Sequence, residues 1–121
     1  RPLAKERWAG VVDSVGSHTL ANACAATMSE GAVAACGLAQ GMDFPATVAP
    51  FILRGVKLLG INSVTQPLEV REKAWARIAT DLPAESLATI TKDVGLTEAL
   101  TIAPDFLSGQ VQGRVVVNVN K

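Results

Sequence analysis

The stretch "GVVDSVGS", residues 10–17, is where the reading of the fold turns. Residues 9–13, "AGVVD", have the short, apolar, β-branched character of a buried parallel strand. The run then breaks into a tight, polar turn containing Gly16. Turns of this kind at the carboxyl ends of parallel strands are where open α/β sheets hold their ligands. No G-x-G-x-x-G occurs among the 121 residues, so a dinucleotide phosphate turn of that form lies nowhere in the chain.

After the turn, Ser17 is placed to cap a helix, with Leu20, Ala23, Cys24, Thr27 and Met28 recurring at helical spacing as its buried face. Gly31 then releases the chain into "GAVAAC", a second strand of small residues. Strand, helix and strand within thirty residues form the pattern of a βαβ crossover. A loop, "GLAQGMDFPATVA", follows. "PFILRG" predicts a short helix opened by Pro50 and closed by Gly55. "VKLLGI", Val56 to Ile61, predicts the third strand, with "NSVTQ" as its carboxyl-end loop. Pro67 suits a helix's first turn, Leu68, Trp75, Ile78 and Leu82 form an inner stripe, and Glu69 with Lys73 makes an (i, i+4) pair.

Beyond Pro83 the pattern changes. "LATITKDVGL", residues 87–96, reads as extended. "TEALTIAPDFLSG" reads as a helix that Pro104 should kink or restart. "QVQGRVVVNVN" reads as a strand. The expected organisation is therefore a parallel βαβ part over residues 1–83 and a different α+β tail over residues 84–121.

Composition removes several function classes. Hydrophobic residues make up 49% and charged residues 18%, which argues for an ordered core. Eleven basic residues balance eleven acidic ones, so neither a nucleic-acid surface nor a polybasic membrane patch is expected. No apolar run approaches the roughly 18 residues of a membrane span. Cys24 and Cys36 lie outside any C-x-x-C, which points to core fillers and a reducing, cytoplasmic setting. His18 is the single histidine; no cluster of zinc ligands surrounds it, and no G-x-S-x-G elbow supplies a nucleophile. No metal and no catalytic side chain is assigned.

Three loops, "SVGS" at 14–17, "GLAQG" at 37–41 and "NSV" at 62–64, end three consecutive strands. Small residues at each let a backbone approach a flat ligand, while amides and hydroxyls supply fixed donors.

Taken together, "RPLAKERWAGVVDSVGS", "GAVAACGLAQG", "PFILRGVKLLGINSV" and "GQVQGRVVVNVN" resemble the zinc-independent medium-chain dehydrogenase/reductases, in particular the branch that reduces acryloyl-CoA with NADPH. The resemblance implies the second half of a Rossmann-type sheet (residues 1–83) and a tail returning to a chaperonin-10-like catalytic domain (84–121). It places the phosphate turn upstream of Arg1, so that these residues alone should not turn over substrate. It implies that Leu38 lies near the nicotinamide half of NADPH, that Ile52 and Ser63 line the same pocket, and that Gly109 is a further contact. Gly109 stands where relatives often carry asparagine, and Pro104 is a second departure. The implied substrate is an enoyl-CoA, with quinones as the alternative. A non-catalytic structural or dimerisation module is the reading from another class. A homodimer built on strand 56–61 is expected in either case.

Overall fold

A computed structural model describes residues 2–121; Arg1 lies outside the described residues. The chain divides into two compact units, one ending at Gln66 and one spanning Pro67–Lys121.

The first unit is a three-stranded parallel sheet with two helices. Its elements are β1 (Trp8–Asp13), α1 (Ser17–Ala26), β2 (Thr27–Ala35), α2 (Ala49–Arg54) and β3 (Lys57–Gly60), and the strand order is β1-β2-β3. Val11 pairs with Val33, and Val33 with Leu58, so β2 is paired on both sides. The core is small: Leu20 and Cys24 of α1 meet Val33 and Val56, with Val11, Ala35 and Phe51 packed against them. Burial, and next the charge of Asp13, push the Cys24 thiol above its usual range, which keeps it a neutral filler. The α2 helix has the expected punctuation, with Pro50 in its first turn and Gly55 closing it in the left-handed region at φ 60°.

Three local expectations fail in this unit. Thr27 and Met28 do not extend the buried face of α1, because the helix ends at Ala26 and both residues open β2. The Thr27 hydroxyl donates to the Ala23 carbonyl at 2.8 Å, and this β-branched residue leads the chain into extended backbone. Ser17 does not cap α1 through its side chain; Gly16 holds the cap position, and Ser17 is the first helical residue. The third strand is also shorter than the six residues expected. Val56 is buried at its entrance, and the Ile61 amide past its end still donates to the Ala35 carbonyl at 2.9 Å.

The second unit contains α3 (Leu68–Asp81), α4 (Ala84–Ile90), β4 (Thr91–Gly95), α5 (Leu96–Leu107) and β5 (Arg114–Asn118), with β4 and β5 parallel. Residues 87–90 are not extended as the sequence reading of 87–96 expects; they complete α4. Pro83 starts that helix, and the Thr89 and Thr91 hydroxyls donate back to the carbonyls of Glu85 and Leu87. α5 runs through Pro104 without restarting. Its start is fixed by the Gly95 amide donating to Glu98 Oε2 at 3.0 Å. Val94 is the fully buried residue of this unit, whereas the stripe of Leu68, Trp75, Ile78 and Leu82 is exposed, Trp75 at 63%.

Candidate functional site

Two of the three loops at the carboxyl ends of the strands interlock. Asp13, the last residue of β1, is 4% exposed, and its Oδ2 accepts the Gly16 amide at 2.8 Å. This closes the 14–16 turn with Gly16 at φ 76°, a conformation that favours glycine. Backbone bonds then join this turn to the loop after β2: the Cys36 amide donates to the Asp13 carbonyl at 2.8 Å, and the Gln40 amide to the Val15 carbonyl at 2.8 Å. The Cys36 thiol also donates to the Asp13 carbonyl, at 3.3 Å.

The side chain of Gln40 finishes the lock, because its Oε1 accepts both the Thr19 amide at 3.2 Å and the Thr19 hydroxyl at 3.0 Å. Contact is close enough to demand glycine twice. A Cβ on Gly16 would stand 2.6 Å from the Gly41 carbonyl oxygen, and one on Gly37 would stand 2.9 Å from the Ser14 Cα. The loop 37–41 is thus held on α1 and on the turn after β1, with Leu38 presented outward at 59% exposure.

The loop after β3 is ordered by Asn62. Its Oδ1 accepts the amides of Val64 and Thr65 at 3.0 and 3.3 Å, and its amide nitrogen donates to the Thr65 hydroxyl at 2.7 Å. Ser63 sits inside this turn. Between the second and third loops lies an open hollow of about 490 Å³, lined by residues 35–38 and by Gly60, Ile61 and Asn62. Its lining combines the apolar side chains of Leu38 and Ile61 with Gly37 and Gly60, and none of its lining residues is charged. That chemistry fits a flat, weakly polar ring with amide hydrogen-bonding groups, and does not fit a phosphate.

The four site residues read from the sequence therefore separate. Leu38 lines the hollow, and Ser63 follows directly on Ile61 and Asn62, which line it. Ile52 projects from α2 at 72% exposure and is not among the lining residues. Gly109 belongs to the second unit, where φ 68° just past the end of α5 accounts for glycine without a ligand.

Sequence reading missed Asp13, Gln40 and Asn62. Only Asn62 carried a local signal, as a turn-forming residue directly after a strand. His18 lines a separate hollow of about 250 Å³ with Pro45, Thr47 and Pro50, and no group of potential metal ligands exists among the described residues. No helix among them is long and apolar enough to cross a membrane.

No protein-family model matches the chain. It is 52% identical over 120 residues to the acrylyl-CoA reductase AcuI of Ruegeria pomeroyi, covering 99% of this chain and 36% of that protein. The crystal structure of Escherichia coli K-12 YhdH with bound NADPH superposes with a TM-score of 0.87 at 47% identity, over 99% of this chain and 37% of that one. Bacillus subtilis YhfP, provisionally named a quinone oxidoreductase and solved with NAD bound, is 44% identical with a TM-score of 0.82; the chain is matched over 98% of its length and covers 36% of YhfP. The chain thus spans about a third of the length of the relatives it matches. The resemblance read in its motifs is borne out over nearly all its residues, as is the parallel α/β fold.

Proposed function

We propose that this chain forms part of an NADPH-dependent oxidoreductase that reduces an activated carbon–carbon double bond, most specifically that of acryloyl-CoA to give propanoyl-CoA. The observation that carries the reading is the uncharged hollow walled by Leu38 and Ile61 at the carboxyl ends of β2 and β3, in a chain 52% identical to an acrylyl-CoA reductase. When bound, NADPH supplies the hydride that adds to the β-carbon of the enoyl thioester, and a proton completes the reduction at the α-carbon. The part of Leu38 and Ile61 is to support one face of the nicotinamide ring and keep water from it. Ser63, next to the lining residues Ile61 and Asn62, and Ile52 on α2 are further candidate contacts. Residues 84–121 are taken as the segment that returns to a catalytic domain, in the cytoplasm.

The test is made on the full-length protein, with NADPH and NADH each offered together with acryloyl-CoA or a quinone. Leu38→Asp is expected to raise the KM for NADPH about tenfold, on the order of 1.4 kcal/mol. Leu38 is well exposed without a ligand, so a carboxylate there is hydrated until the cofactor docks and its solvation is lost only then. Unchanged NADPH kinetics in a folded variant would remove Leu38 from the site. Preferred turnover of quinone with either cofactor would favour the second reading, to which the likeness to YhfP lends weight.

The same reading includes a homodimer through β3. This strand pairs with β2 on one side only, and Leu58 and Leu59 are both exposed. Lys57 does little to guard the edge, because its ammonium is held by the Glu30 carbonyl and carboxylate, each at 3.0 Å. The Ile61 amide points at β2, so by the alternation of strand amides that of Leu58 points away from it. Leu58→Pro should therefore remove an outward donor, spare the pairing with β2, and convert the full-length protein to monomers in light scattering. A folded proline variant that stays dimeric at low micromolar concentration excludes this edge.

A further inference from the structure

We propose that Asp13 and Gln40 are positioning residues for the cofactor: two side-chain locks that set the loop 37–41 and hence where Leu38 stands. The inference rests on the reading of the hollow as the nicotinamide site. Neither side chain lines the hollow; each acts on it through the loop that carries Leu38.

The buried lock is Asp13. Its carboxylate accepts the Gly16 amide, while its own carbonyl accepts the Cys36 amide. One residue thereby ties the turn after β1 to the first residue of the loop after β2. Gly16 held at φ 76° is what lets the second loop come so close, with the Leu38 Cα only 3.2 Å from where a Gly16 Cβ would stand. The exposed lock is Gln40, two residues beyond Leu38, whose carbonyl oxygen takes both donors of Thr19 in the first turn of α1. Leu38 thus lies between two anchors, with the turn after β1 behind it and the hollow in front. With Asp13 absent, the 14–16 turn loses its closing bond. With Gln40 absent, the loop's far end keeps only backbone ties at Ala39, Gln40 and Gly41. In both cases the wall of the hollow acquires freedom that the cofactor must then remove on binding, which weakens binding with no lost contact.

The experiment uses the full-length protein and NADPH, read by direct fluorescence titration and by the split between KM and kcat. Gln40→Ala alters an exposed side chain and leaves the core untouched, so it is the variant that keeps its fold. It is expected to raise the NADPH Kd and KM three- to tenfold, with kcat within twofold. Asp13→Ala is expected to raise them tenfold or more, and Asp13→Asn, which retains an acceptor oxygen for the Gly16 amide, to restore most of the loss. A merely structural role predicts lower thermal stability with unaltered Kd in the fraction that remains folded. Folded Gln40→Ala with wild-type Kd and KM overturns the proposal, whatever Asp13→Ala does. Failure of the wild-type protein to bind NADPH overturns instead the reading beneath it, so the two failures are distinct.

Discussion

Arg54→Ala will lower the stability of the first unit by about 3 kcal/mol, read as a shift in the urea midpoint with little change in slope. Arg54 ends α2, and its side chain is 16% exposed. Its guanidinium donates through Nη1 to the Ala25 carbonyl at 2.9 Å and, at 3.4 Å, to that of Thr27, and through Nη2 to the Ala4 carbonyl at 2.7 Å. Nε meets Glu6 Oε1 at 3.2 Å. The Ala25 carbonyl belongs to the last turn of α1, so the cation also stands at the negative end of that helix.

One planar group therefore joins the segment before β1, the end of α1 and the start of β2 to α2. Glu6 is about two-fifths exposed, so the ion pair itself adds little; the shielded carbonyls carry the effect. Arg54→Lys should recover less than half, because an ammonium cannot present the three separated donors of the fork. An alanine variant within about 0.5 kcal/mol of wild type, the range of an ordinary surface substitution, would show that water replaces the guanidinium freely.

Arg54 also illustrates what was legible in the sequence and what was not. The strand-turn unit at 10–17, the helix opened by Pro50 and closed by Gly55, and a strand within 56–61 were readable because their signals are local: short apolar runs with proline or glycine at the ends. The errors came where one local signal competed with another. Thr27 and Met28 continue the helical spacing of α1, yet the backbone turns extended at Thr27 and both residues open β2. The stretch from Leu87 reads as extended, yet Pro83 had already started a helix that runs through Ile90.

At the candidate site the same division holds. Short motifs single out Leu38, which lines the hollow, and Ser63, which follows two of its lining residues, but not the side chains whose hydrogen bonds tie the loops together. Asp13 reads as the polar end of a strand until its bond to Gly16 is seen, and Gln40 acts on Thr19, 21 residues earlier in the chain. Ile52 matches its motif equally well, lies on α2 and is not among the residues lining the hollow. A motif fixes which residues recur together, and only the loops decide which of them share a cavity.

Gly37→Val should be the most damaging single change at the site, costing about 3 kcal/mol of stability and lowering NADPH affinity by more than tenfold in the full-length protein. A Cβ at Gly37 would stand 2.9 Å from both the Cα and the carbonyl carbon of Ser14, and closer still to the carbonyl oxygen. All three are backbone atoms of the turn that Asp13 holds, so no side chain can swing aside to make room. The turn and the loop must separate, which strains the hydrogen bonds that the Cys36 and Gln40 amides donate to the Asp13 and Val15 carbonyls and moves Leu38, the residue after the clash. Gly60→Ala is the matching control, because a Cβ there meets nothing within 4 Å although Gly60 lines the same hollow. The added methyl should leave the urea midpoint close to wild type and affect only what enters the hollow. If that space receives the nicotinamide ring, Gly60→Ala weakens NADPH binding at unchanged stability, whereas Gly37→Val loses both. Equal NADPH affinity in wild type and Gly60→Ala would mean that the ring lies elsewhere, and equal stability in Gly37→Val would mean that the two loops are not in contact.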